Sequence, residues 1–127
     1  MLGKSNENYE SFQILKNAGK LSSCVHCAYY SAFQLSMYSL THKYGYSLGF
    51  LIGYGKDSHT IINKELRHRM IDDGCSADAF KYGRLMEQLK KERQKADYKT
   101  NVHGLKEISK IENALNSVVS MIKSKYL

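Results

Sequence analysis

Residues 21–40 read LSSCVHCAYYSAFQLSMYSL. Leu21, Cys24, Val25, Ala28, Ala32 and Leu35 recur at helical spacing and form one apolar stripe. Cys27, Tyr30, Phe33, Met37 and Leu40 form a second. A helix with two apolar sides needs neighbours on both, so this segment belongs at the centre of a helical bundle.

Outward from this stretch, glycines punctuate the chain at Gly19, Gly45, Gly55, Gly74 and Gly104. Glycine just past a helix end supplies a left-handed cap, so these positions divide the chain into five helical segments, about 4–18, 20–44, 57–73, 76–97 and 104–125. The last is the cleanest: Leu105, Ile108, Ile111, Leu115, Val118, Val119 and Ile122 line one face, and Lys106, Lys110, Glu112, Asn116 and Lys123 the other. No strand-like alternation appears. Residues 48–54, LGFLIGY, are the nearest candidate, but their glycines weaken a strand, and they read as a loop that packs its own apolar side chains or meets a partner subunit. The fold class is all-α: an antiparallel bundle of four main helices plus a short N-terminal helix, in one domain over 1–127 with its core at about 18–125.

Composition agrees. The chain has 127 residues, a length suited to one domain and one core. It is 43% hydrophobic and 24% charged, which excludes a disordered chain. It has no Pro, so nothing breaks long helices by that route. No run approaches a membrane span, and the polar, acid-bearing start is unlike a secretory signal. Three Cys fit no disulfide framework, so a reducing cytoplasm is expected. The net charge of +7 suits an anionic partner.

Several motifs reduce to ordinary structure. Cys24-Val25-His26-Cys27 has no second ligand pair for zinc and no preceding strand for a redox loop, and reads as small buried thiols. The stretch around Gly53, Gly55, Lys56 and Asp57 is not a phosphate loop: Gly49 is one residue too far back, and Asp57 replaces the hydroxyl residue. Asp57 or Ser58 instead caps a helix. That puts His59 in the first turn, as a half-buried histidine near a cap or as a functional one. The basic runs Lys64, Arg67, His68, Arg69 and Lys90, Lys91, Arg93, Lys95, Lys99 are solvated faces or phosphate contacts. No metal site and no cofactor follow from any of these spacings.

The informative irregularity is Arg93. The fourth segment runs Tyr82, Leu85, Met86, Leu89, Arg93, Ala96 along its apolar stripe, so a guanidinium stands where the pattern asks for an apolar side chain. Such a group must be paired, hydrated in a cleft or aimed at a ligand. Arg93 and Tyr98 differ by roughly 140° around a helix axis, so they converge only if the helix ends near Asp97. Arg93, Asp97 and Tyr98 then meet at one mouth of the bundle. The alternative is an Arg93–Asp97 pair at i,i+4 with Tyr98 as a packing lid.

Three pieces in order, Ala28-Tyr29-Tyr30-Ser31-Ala32-Phe33, Lys56-Asp57-Ser58-His59 and Arg93-Gln94-Lys95-Ala96-Asp97-Tyr98, resemble the HEPN superfamily (higher eukaryotes and prokaryotes nucleotide-binding), in its compact single-domain prokaryotic members. The resemblance covers about 18–125. It implies an up-and-down bundle of four main helices, usually dimeric, that binds nucleotide or RNA. It also implies a place in a toxin–antitoxin or defence-type system beside a small nucleotidyltransferase, which can modify a Tyr near this position with AMP. Many such proteins are metal-independent ribonucleases with Arg, four to six residues, then His. Here Tyr98 stands where that His would be, so the nuclease motif is incomplete. The resemblance therefore implies binding by Arg93, Asp97, Tyr98, His59 and Lys56. The alternative is a ribonuclease using Arg93 and Tyr98, with His59 supplying acid–base chemistry if the fold brings it close. A third reading is a bundle in which the motif only holds its helix in place.

Overall fold

The computed structural model describes residues 1–53, 58–98 and 104–127. Six helices form among them: α1 (Leu2–Asn17), α2 (Leu21–His42), α3 (Leu48–Ile52), α4 (Ser58–Asp72), α5 (Ser76–Tyr98) and α6 (Leu105–Lys125). The molecule is an all-α bundle with no strand among the described residues.

The doubly apolar helix is the centre of the fold. α2 packs against α1, α4, α5 and α6. Cys24, Val25, Ala28, Ala32, Leu35 and Leu40 are fully buried along it. α1, expected over 4–18, joins the bundle along α2. Ser5 donates to the Ser31 carbonyl at 2.8 Å, and Ser31 returns a bond to the Ser5 carbonyl at 2.9 Å. These small side chains let the two backbones approach closely and satisfy both hydroxyls without water. α1 is also tied to α6. Tyr9 donates to Asn116 Oδ1 at 2.7 Å, while Gln13 and Lys16 reach Glu112 at 2.7 and 3.0 Å.

α6 keeps its sequence pattern from Ile108 onward, while Leu105, expected on the apolar face, is exposed and Val119 is only partly buried. Ile108, Ile111, Leu115, Val118 and Ile122 are buried, each such side chain stabilising the fold by roughly 1.5–3 kcal/mol. The glycine boundaries divide into two kinds. Gly74 lies at φ 82°, and Cys75 N–H reaches back to the Met70 carbonyl at 2.8 Å, which turns the chain tightly from α4 into α5. Gly104 is different: its φ is −101°, and it starts α6 rather than ending α5. Its N–H is accepted by Glu107 Oε2 at 3.0 Å, so the acidic first turn of α6 covers an otherwise orphaned donor. Gly55 and the Asp57 half of the proposed cap lie outside the described residues.

Residues 48–52, expected in a loop, form the single turn α3. The Ser47 hydroxyl accepts the Phe50 N–H at 3.1 Å and caps it. Leu51 is fully buried and anchors the turn, while Leu48, Phe50 and Ile52 remain exposed. One inward side chain is enough to hold so short a helix against α4.

Candidate functional site in the α2, α4 and α5 cluster

The stripe of α5 continues as its spacing demands. Tyr82, Leu85, Met86 and Leu89 are buried, and Arg93 follows on the same face. Its guanidinium lies over two rings of α2, with Cζ 5.0 Å from the Tyr29 centroid and 5.6 Å from that of Tyr30. Nη1–H donates to the Tyr30 hydroxyl at 3.1 Å. Ring faces partly replace the water that the cation has lost. They do not satisfy all its donors: Nε is buried and has no hydrogen-bond partner among the described residues. A buried, unanswered charged donor is rare in a finished fold and normally has a use.

His59 of α4 closes the cluster. Its ring packs 4.4 Å from Phe33 and stacks on Tyr29 at 5.3 Å, centroid to centroid. Tyr29 is 2% exposed, and its hydroxyl is hydrogen-bonded to His59 Nδ1. Burial pushes the Tyr29 phenol up, only partly opposed by Arg93, so it keeps its proton. Among the described residues Nδ1 is the acceptor within that proton's reach, so Tyr29 donates to it. Burial pushes the His59 imidazole below its ordinary 6.5, and the neighbouring charges of Arg93 and Lys90 push it the same way. The ring is therefore neutral near pH 7, with its proton on Nε2. It enters the site as a hydrogen-bond donor, not as a base.

Two of these groups, Tyr29 and His59, line a cleft of about 280 Å³ between α4 and α5, while Arg93 lies beside it over the Tyr29 ring. Tyr29 and Met86 line it, His59, Asn63 and Arg67 stand on the α4 side, and Lys90 stands on the α5 side. Guanidinium, ammonium and Nε2–H are donors only and suit an acceptor-rich anion such as a phosphate, while Glu87 sets one carboxylate in the same lining.

The remaining candidates divide. Asp97 is paired across to α2, with His26 Nε2 and Asp97 Oδ1 2.5 Å apart. That pair ties the end of α5 to the turn of α2 preceding Tyr29 and Tyr30. Tyr98 is the last residue of α5 and is 85% exposed. The helix continues through Asp97, so the roughly 140° between Arg93 and Tyr98 persists and they do not converge. Lys56 lies outside the described residues. Sequence reasoning missed Tyr29, Tyr30 and His26 as site residues, and had Arg67 only within a basic run of solvated or phosphate-contacting side chains. The two tyrosines stand in the quoted Ala28–Phe33 stretch, and a Tyr pair facing a misplaced Arg was the available signal. The C-x-x-C stretch is ordinary packing: Cys24 is fully buried, its thiol pushed up to about 11 chiefly by burial, and it donates to the Leu21 carbonyl at 3.0 Å. Among the described residues no three His, Cys, Asp or Glu side chains converge as metal ligands, and no helix is long and apolar enough to cross a membrane. Comparison of the chain with protein-family models, with curated proteins and with solved structures finds no match.

Proposed function

We propose that this bundle binds a phosphate group of a nucleotide or an RNA in the α4–α5 cleft and does not cut it. The observation that carries this reading is Arg93, held over Tyr29 and Tyr30 with a buried Nε that nothing among the described residues answers. The cleft itself is lined by Lys90 and His59, beside the Tyr29 ring that Arg93 covers, and the net charge of +7 attracts polyanions. The HEPN resemblance adds the wider setting: a homodimer in the cytoplasm, partnered by a small nucleotidyltransferase in a toxin–antitoxin or defence-type system. Calorimetric titration with 5′-AMP and a short RNA tests the binding. Arg93→Gln should weaken it by about 10- to 150-fold, the size of one hydrogen bond to a charged group. Equal affinities for the two proteins would sink the proposal.

A second reading, metal-independent RNA cleavage, is favoured by one observation: an imidazole, absent from the Arg93-x4-Tyr98 motif, stands beside Arg93. His59 in its imidazolium form, populated as pH falls towards its lowered pKa, would protonate the leaving 5′-oxygen and return to neutral imidazole, and Arg93 would stabilise the charge on the phosphorane. The attacking 2′-hydroxyl still needs a base, and Nδ1 is taken by Tyr29. Binding therefore ranks first. Cleavage in excess chelator that disappears in His59→Gln would reverse that order.

A further inference from the structure

The α4–α5 cleft has two cationic ends. At one, Lys90 and His59 line the cleft, and Arg93 lies over the Tyr29 ring that also lines it. At the other, Arg67 crosses α5 at Gly83, where an added Cβ would lie only 2.9 Å from Arg67 Cδ. α4 and α5 thus pair Arg67 with Gly83 and His59 with Lys90, so they run in opposite directions. Eight residues of α4 separate His59 from Arg67, a rise of about 12 Å, and the seven from Gly83 to Lys90 give about 10 Å on α5.

Glycine inside a helix costs about 1 kcal/mol relative to alanine. At position 83 it leaves the space that the Arg67 stem fills. Arg67 Nε–H points back along α4 to the Asn63 carbonyl, a long contact of 3.4 Å, which directs the guanidinium along the cleft. Arg67 has no ion pair among the described residues. The middle of the cleft is different in character. Asn63 and Thr60 supply neutral polar groups, and Glu87 is a carboxylate one turn from both Gly83 and Lys90. A continuous row of negative charge would meet Glu87 unfavourably. A hydroxyl would donate to it.

We propose that Arg67 is a second phosphate-binding position, so that the cleft takes a ligand with two phosphates at most about 12 Å apart, joined through an uncharged, hydroxyl-bearing sugar. The proposal rests on the reading of the Arg93 end as a phosphate site and assigns the length and chemistry of its ligand. A mononucleotide fills one end, and a polyphosphate chain sets charge against Glu87. A 5′-phosphorylated trinucleotide offers consecutive phosphates on either side of one ribose, within reach of both ends because the Arg67 guanidinium is directed back along the cleft.

Calorimetry on the full chain with 5′-AMP, inorganic tripolyphosphate and a 5′-phosphorylated ribotrinucleotide tests this. The trinucleotide should bind at least about tenfold more tightly than either other probe, the size of one charge-assisted contact. Arg67→Gln should collapse that ratio to about one and lower the salt slope of trinucleotide binding by about one. Arg67 is exposed, so this variant keeps the fold. Gly83→Ala, which displaces the Arg67 stem without removing its charge, should narrow the ratio in the same direction. Equal affinities for 5′-AMP and the trinucleotide, or equal losses on both in Arg67→Gln, overturn the second position while the Arg93 site stands. Tripolyphosphate binding as tightly as the trinucleotide overturns the sugar link. No binding by any probe removes the Arg93 reading together with this one.

Discussion

The two ends of α5 treat polar side chains in opposite ways. Near its start, Asp78 accepts Lys125 Nζ at 3.0 Å and the Tyr126 hydroxyl at 2.8 Å, and the Lys125 bond above all holds its carboxyl below the usual range. The Tyr126 ring is 1% exposed, and its carbonyl accepts Ser39 Oγ at 2.5 Å. Lys43 Nζ holds the Lys125 carbonyl at the same distance. This end is a closed latch that fixes the C-terminal turn to α2 and α5. Near the other end, Arg93 makes one bond through Nη1 and leaves Nε buried and unanswered among the described residues. Similar residue types thus close one end, where each of these donors meets an acceptor, and leave a donor open at the other, where we propose recognition.

The largest effect that would sharpen this contrast lies at the latch. Tyr126→Ala removes a buried aromatic ring and its hydroxyl's bond to Asp78, and should cost about 3–5 kcal/mol in urea unfolding. Arg93→Ala, at the other end, should cost under about 1 kcal/mol, because the lost Nη1 bond is offset by removal of an unsatisfied donor. A latch variant no less stable than the Arg93 variant would break the comparison.

A smaller effect is expected from His59. Its pKa is lowered in the folded chain, so below its ordinary 6.5 the unfolded state binds more protons. Stability should be complete above pH 6.5 and decline as pH falls through that value towards the lowered one. His59→Gln should flatten this part of the profile in thermal melts. A profile identical in both proteins would show that the imidazole is not buried as described.

The smallest effect is at Tyr98. At 85% exposure it should tolerate Ala with under about 0.5 kcal/mol lost and unchanged 5′-AMP affinity. A marked loss of affinity would return Tyr98 to the site and weaken the case for His59.

The central place of residues 21–40 was legible because two apolar stripes on one helix have no other use. The clean face of α6 was legible for the same reason, and so was Arg93, because a break in a period is itself a signal. Other features were not. Gly104 looked like a helix stop, but whether a glycine ends one helix or starts the next depends on φ, which residue identity does not give. The single turn at 48–52 was missed because it is held by the Ser47 cap and Leu51 rather than by any period.

From its sequence alone, then, this protein owes its all-α class, its central helix and the misplaced cation to local periodicity, which is a property of residues a few positions apart. The partners of that cation were decided in three dimensions. Arg93 meets Tyr30 across 63 positions and Tyr29 meets His59 across 30. Asp97 turns to His26 rather than to its own helix neighbour, and Tyr98 faces solvent. Such contacts depend on how helices pack and rotate against each other, and a one-dimensional pattern carries the side of a helix that is apolar but not the neighbour that will cover it.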